Sequence, residues 1–162
     1  MEENQQKYSH SIKIQKRFTD FDRMHHVNNS KQLTFFETAR IDYFLDVLKS
    51  DADEYLYQAI IARNEIDYLK PISIDAEIKI FTRCAKIGNK SITLEAVCLI
   101  STPNKPDFFE TASKCVTVVV AYDYENEKTI YVPERMKQLL LNYEKAGTVN
   151  MKQTLLTSSQ KN

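Results

Sequence analysis

The sequence predicts an α+β domain in which one long apolar helix lies against an antiparallel sheet. Two observations carry this. Residues 30–49 show apolar side chains at helical spacing, and several other segments alternate apolar and polar residues with period two. The later alternating segments are joined mainly by hairpin-length turns, which antiparallel neighbours can use.

From His10 to Phe18, Ile12, Ile14 and Phe18 recur with period two, as in a half-buried strand. A polar loop follows. In the helix after it, Leu33, Phe36, Phe44 and Val47 form an apolar stripe, widened by Phe35, Ala39, Ile41 and Tyr43. A helix apolar on several sides is expected to be wrapped by other structure. Asn29, with Gln32 three residues later, fits an N-cap and its capping-box partner. Asp51 to Glu54 is a polar break. Four strands are then expected: Tyr57 to Leu69, ending at Pro71; Asp75 to Lys86; Ser91 to Ser101; and Phe109 to Tyr122. Gly88-Asn89 reads as a tight turn between the second and third of these, and Pro103 to Pro106 as a loop. Pro133 opens a short amphipathic helix running to about Glu144. The expected organisation is one domain over residues 1–150, with a flexible tail over 151–162 that has little to bury.

With 162 residues and no break in composition, the chain can bury a core without disulfide or metal staples. Lys plus Arg number 22 and Asp plus Glu number 22, so no global field favours nucleic acid or membrane. Only Gly88 and Gly147 are glycines, which excludes Gly-rich phosphate loops. Cys84, Cys98 and Cys115 are odd in number and sit in apolar strand-like runs, as reduced core residues of a cytoplasmic protein would. The first ten residues lack the apolar core of a signal peptide, and no apolar run approaches the ~20 residues that span a bilayer.

The loop ahead of the long helix carries the chemistry. Residues 17–29 contain the carboxylates of Asp20 and Asp22, the imidazoles of His25 and His26, and the amides of Asn28 and Asn29. Titratable groups just before a helix N-terminus make a place where a carbonyl or anion can be held and attacked. The plain structural alternative is turn chemistry, in which short carboxylates bond nearby backbone N–H groups.

The pattern Asp20-x-Asp22-x-x-x-His26-Val27-Asn28-Asn29, followed by Phe36-Glu37-x-Ala39-Arg40, resembles the hotdog-fold acyl-CoA thioesterases of the 4-hydroxybenzoyl-CoA thioesterase-like branch. It is also similar to acyl-ACP thioesterases. Tyr68-Leu69-x-Pro71 and Gly88-Asn89-Lys90-Ser91 match two further landmarks in order, so the resemblance spans residues 8 to 144. It implies a sheet wrapped around the long helix and a homodimer paired edge to edge, with two sites at the interface. Tetramers of paired dimers are common among such proteins.

The resemblance places the catalytic carboxylate on Asp22, as nucleophile or general base, and the amide that polarises the thioester carbonyl on the Asn29 backbone N–H. Asp20, His26 and Asn28 take supporting roles in the loop. His25 stands where relatives usually carry a small residue, often Gly; it either has a surface or packing role or shares in proton transfer. Gln32 replaces an aromatic residue and makes the pocket wall more polar, and a Gln32 cap on Asn29 N–H would compete with substrate. Glu37 is a second carboxylate on the helix, with a local ion pair to Arg40 as its structural alternative. Lys90 and Ser91 match the position where relatives touch coenzyme A phosphates; Arg63, Lys86 and Lys105 have no such match. Asp20, Asp22, His25 and His26 lack the further ligands a metal site needs, so no metal and no cofactor is expected beyond the coenzyme A of the substrate. The implied activity is hydrolysis of an acyl-CoA thioester, in fatty acid metabolism. An acyl-ACP substrate and a non-catalytic acyl-thioester-binding protein are the alternatives.

Overall fold

The computed structural model describes residues 8–52 and 58–159, with side chains for all of these except 105–108 and 148–159. The sequence beyond them, including the N-terminal residues, the end of the polar break, Tyr57 and the last three residues of the expected tail, lies outside the described residues.

Strand β1 (His10–Ile14) leads through a 3-10 turn (Phe18–Asp20) and the polar loop into helix α1 (Asn29–Leu48). Strands β2 (Ala59–Tyr68), β3 (Glu77–Ile87), β4 (Ser91–Thr102) and β5 (Lys105–Asp123) follow, then a two-residue β6 (Lys128–Thr129) and helix α2 (Glu134–Ser159). All pairings are antiparallel and the order across the sheet is β1-β3-β4-β5-β2, with β6 paired to β5. Register shifts interrupt β2–β5, β3–β4 and β4–β5, and irregularities of this kind bend and twist the strands they interrupt. The sheet curls into a half-barrel against α1, the α+β hotdog arrangement.

The burial pattern explains how α1 is held. Gln32, Phe35, Phe36, Ala39, Tyr43, Phe44, Val47 and Leu48 are buried, a stripe at i, i+3, i+4, i+7 and i+11. Its N-terminal half packs Phe35, Phe36 and Ala39 against Ile14, Ile78, Ile80, Cys98, Ile100 and Cys115, side chains from four strands. Its C-terminal half packs Tyr43, Phe44 and Val47 with Ile92, Leu94 and Val119 and with Met136 and Leu140 of α2. Each fully buried large side chain contributes about 1.5–3 kcal/mol, so this stripe is what seats the helix. The opposite sheet face carries a smaller cluster of Tyr8, Phe81, Val97 and Leu99, as strand alternation requires.

Several expectations are corrected. Phe18 is 89% exposed, because β1 ends at Ile14 and a 3-10 turn begins at Phe18 itself, which breaks the period-two alternation. Leu33 and Ile41 are exposed, since the true stripe begins at Gln32 and runs beside them. Lys105 and Pro106 belong to β5 and not to a loop, leaving a short turn at 103–104. α2 continues to Ser159, past Glu144 and into the stretch expected to be a tail; no Gly or Pro after Gly147 interrupts it. Cys98 and Cys115 are buried, Cys84 is half-buried and all three are free thiols. Burial pushes the Cys98 thiol up to about 12, which keeps it a protonated core side chain. Among the described residues no helix is long and apolar enough to cross a membrane.

Polar contacts clamp α2 onto the sheet. Glu144 Oε1 accepts from Ser9 Oγ at 2.8 Å, Tyr43 Oη at 2.6 Å and the Cys84 N–H at 2.8 Å. Close approach is possible because Gly147 lacks a side chain: a Cβ there would lie 2.6 Å from Ser9 Cβ and 2.8 Å from Ser9 O. His10 is buried beside this clamp, facing Asp42, Tyr43 and Asp46 of α1 and Tyr143 and Glu144 of α2. Burial lowers the His10 pKa below its ordinary 6.5, outweighing the opposing pull of Asp42, Asp46 and Glu144. The unfolded chain therefore takes up this proton first as pH falls. The stabilising contribution is complete above about pH 6.5 and is lost as pH falls through the lower folded value. Urea unfolding across this range is expected to show wild-type stability falling on acidification more steeply than that of His10→Asn; parallel curves contradict the assignment.

Candidate functional site

The polar loop is a closed structure whose two ends are tied together. Asp20 is fully buried; its Oδ2 accepts the Arg17 N–H at 2.7 Å and its carbonyl accepts the Asn28 N–H at 2.9 Å. The Arg17 guanidinium lies 3.5 Å from Oδ1. Between these ends Phe21 pairs with Val27, and the Asp22 N–H donates to the His26 carbonyl at 2.9 Å. The segment after Pro71 acts as a rail: Val27 N–H donates to the Ile72 carbonyl at 2.9 Å, and His26 bridges to Ser73.

Asp22 sits at the exposed tip of this loop. Its Oδ1 accepts from the Met24 N–H at 2.8 Å and the His26 N–H at 3.2 Å, an Asx-type turn. Its Oδ2 has no partner among the described residues and faces solvent. One oxygen thus shapes the turn while the other is free to react. His25 adopts φ 57°, the left-handed conformation that glycine takes most readily. That accounts for the expectation of a small residue there: the loop keeps its shape with an imidazole, at a backbone cost. His26 contributes through its backbone.

The helix cap differs from expectation. Asn28, not Asn29, is the N-cap: its Oδ1 accepts from the Ser30 N–H at 2.9 Å and Ser30 Oγ at 2.8 Å. Gln32 is accordingly one turn in; its side chain is buried with Oε1 unpaired, so it does not reach back to cap. The expected competition for the Asn29 N–H is thereby removed. Asn29 becomes the first helical residue, whose N–H has no intrahelical acceptor and sits at the positive end of the helix. Its carbonyl accepts from the Tyr68 hydroxyl at 3.1 Å. Tyr68, part of a sequence landmark, ties the end of β2 to the start of α1.

The remaining candidates separate from this group. Glu37 is exposed and lies 3.5 Å from the largely buried Arg40, the local ion pair. Lys90 Nζ donates to Thr129 O at 3.2 Å and Thr129 Oγ1 at 3.1 Å, beside the Tyr131 ring. The Ser91 carbonyl accepts from the Gly88 N–H at 2.7 Å, closing the β3–β4 turn. Ser91 pairs with Val120, whereas Tyr68 and Cys98 both pair with Ser113. The Lys90–Ser91 turn is therefore seven residues along β4 from the level of Tyr68, roughly 23 Å. One chain does not bring it to Asp22 and Asn29. Among the described residues no group of His, Cys, Asp and Glu is placed to hold a metal ion.

The left-handed His25 gives a test of the loop. His25→Gly is expected to hold or raise stability by up to about 1 kcal/mol, while His25→Val lowers it by about 1–2 kcal/mol. Chemical denaturation of the two variants checks this ordering, and equal stabilities contradict it.

Comparison with known proteins agrees with this fold. A model of the thioesterase-like superfamily matches residues 17–140. A thioesterase from Thermus thermophilus, solved with coenzyme A and zinc, is 27% identical, with a TM-score of 0.72 over 85% of this chain and 96% of that one. The 4-hydroxybenzoyl-CoA thioesterase from Pseudomonas sp. strain CBS-3 shares the fold at 18% identity, with a TM-score of 0.69 over 80% of this chain and 97% of that one. The uncharacterised protein YsmA of Bacillus subtilis is 29% identical over 87 residues, 54% of this chain and 58% of that relative's length. The superfamily match covers the loop, α1 and the whole curled sheet after β1; the chain belongs to the thioesterase-like superfamily.

Proposed function

We propose that this chain hydrolyses acyl-CoA thioesters to a free carboxylic acid and coenzyme A. The observation that carries the reading is that Asp22 Oδ2 and the first N–H of α1, on the same exposed loop–helix junction, both lack partners among the described residues. Family membership supports it.

Hydrolysis needs the carbonyl polarised and its carbon attacked. The Asn29 N–H, backed by the helix dipole, would donate to the thioester oxygen and stabilise the oxyanion as it forms. Asp22 would attack the carbonyl carbon and expel the thiolate, leaving an anhydride that water cleaves, or would take a proton from a water that attacks instead. In either route the carbon–sulfur bond breaks, and water supplies the oxygen of the acid and the proton of the thiol. Asp20, Asn28 and Tyr68 position the two reacting groups without touching substrate.

The working unit in this reading is a homodimer. β2 is an edge strand with Ile61 and Tyr68 exposed, and such an edge invites pairing with a second copy. Lys90 lies far along the sheet from Asp22, so in this reading it would meet the phosphates of coenzyme A and not the thioester. We place the protein in the cytoplasm, consistent with its reduced thiols.

Asp22→Asn is the discriminating variant, because its amide oxygen can still accept the Met24 and His26 N–H groups while the negative charge is gone. It is expected to melt close to wild type and to lose at least about 100-fold in kcat against acyl-CoAs of short, medium and long chain. Comparable rates in both proteins remove Asp22 from the chemistry. Saturable acyl-CoA binding by wild type with no thiol release replaces the enzyme with a binding protein, and strong preference for acyl-ACP moves the activity to the carrier-protein substrate.

A further inference from the structure

Arg40 is a charged side chain that the thioester chemistry leaves unused. It follows Asn29 by eleven residues on α1, so steps of about 100° return it to within about 20° of the same face, roughly 16 Å further along the axis. Leu33 and Phe36 lie between them on that face. Among the strands, α1 leans toward β3 and β1, which leaves an open trough between this face and the edge strand β2. Tyr68 pins one end of the trough through its bond to the Asn29 carbonyl. Ile66, half-buried, packs on the cluster that holds Phe36.

The far end of the trough is polar. The Arg40 side chain is 11% exposed, and its Nη2 lies 3.5 Å from Oε1 of a half-exposed Glu37, the limit of a hydrogen bond. Nε and Nη1 have no acceptor among the described residues, yet both keep contact with solvent, so a ligand can reach them. Helical side chains lean toward the N-terminus, which carries the guanidinium back toward Asn29. On the sheet side it lies close enough to Cys115 for each to affect the other's ionisation. Cys115 Sγ is 3.5 Å from Thr117 Oγ1, which donates to Asn64 Oδ1 at 2.8 Å. With that oxygen engaged, the exposed Asn64 has two Nδ2 donors that lack partners among the described residues.

Burial opposes the Arg40 charge, and one long contact to Glu37 satisfies little of a five-donor fork. A second cation would be repelled here, and a plain alkyl end would leave the donors unmet. A carboxylate matches, because it offers two acceptor oxygens in the plane of the guanidinium and compensates its charge. We propose that Arg40, assisted by Asn64 Nδ2, receives a carboxylate at the far end of the acyl chain, so that the preferred substrates are ω-carboxyacyl-CoA thioesters. The methylenes between the two polar ends run along Leu33, Phe36 and Ile66. This rests on the thioesterase reading, which sets the thioester carbonyl at Asn29.

The test compares suberoyl-CoA with octanoyl-CoA, which has the same chain length and no terminal carboxylate. Turnover is measured with the full-length protein and binding, by calorimetry, with its Asp22→Asn variant. Both kcat/KM and affinity are expected to be at least about ten-fold higher for suberoyl-CoA. Arg40→Gln erases this preference by lowering the suberoyl-CoA values, while those for octanoyl-CoA stay within about three-fold. Should Arg40→Gln fail to fold, Asn64→Asp decides the matter. It keeps an oxygen for Thr117, sets a negative charge against the incoming carboxylate, and is expected to erase the preference too. Equal or lower values for suberoyl-CoA, or a preference that survives the substitution, overturn the proposal. A binding preference that Arg40→Gln erases, with no turnover of either thioester, supports the carboxylate site and overturns only the hydrolase reading. Neither binding nor turnover of either thioester overturns both.

Discussion

The hydrogen bond from Asn28 to the carbonyl of the buried Asp20 is the joint through which the rest of the site is set. It closes the loop on itself just where α1 begins. The Asp20 carboxylate holds the entry of the loop, and the Asn28 side chain caps its exit. With both ends fixed, Asp22 is carried at the tip, and the Asn29 N–H is left as the first unused donor of the helix. The joint has force only because α1 is itself immovable, seated in the curled sheet by Phe35, Phe36, Ala39 and Tyr43. Packing fixes the helix, the helix fixes its cap, and the cap fixes the loop.

A consequence is that the two aspartates have divided labour. Asp20 lies wholly inside and its oxygens face Arg17, whereas Asp22 lies outside with one oxygen unengaged among the described residues. Asp22 shapes a turn through Oδ1, and its Oδ2 has no partner among the described residues. A substitution that deletes the side chain confounds these roles, whereas one that keeps an acceptor oxygen separates them.

Much of the fold was legible because alternation and helical spacing report burial directly. Ile12, Ile14, Ile78, Ile80, Ile92 and Leu94 turn inward where period two places them, and α1 starts and stops within a residue of its expected bounds. What failed needed non-local information. Asn28 and Asn29 are equally good caps by type, and the choice between them is made by Asp20 and Ile72, which are distant in sequence or engaged through backbone atoms. Phe18 and Leu33 look like core residues in a local window, but the turn after Ile14 and the angular position of Leu33 put them outside. The Glu144 clamp draws on residues 60 to 135 positions away, so no motif could announce it.

The most direct test of the central claim is a crystal structure with a non-hydrolysable acyl-CoA analogue that keeps the carbonyl. The account predicts the carbonyl oxygen within about 3.2 Å of the Asn29 nitrogen and an Asp22 carboxylate oxygen facing the carbonyl carbon, directly or through one water. A carbonyl held away from the N-terminus of α1, with Asp22 still bonded only to its own turn, would contradict it.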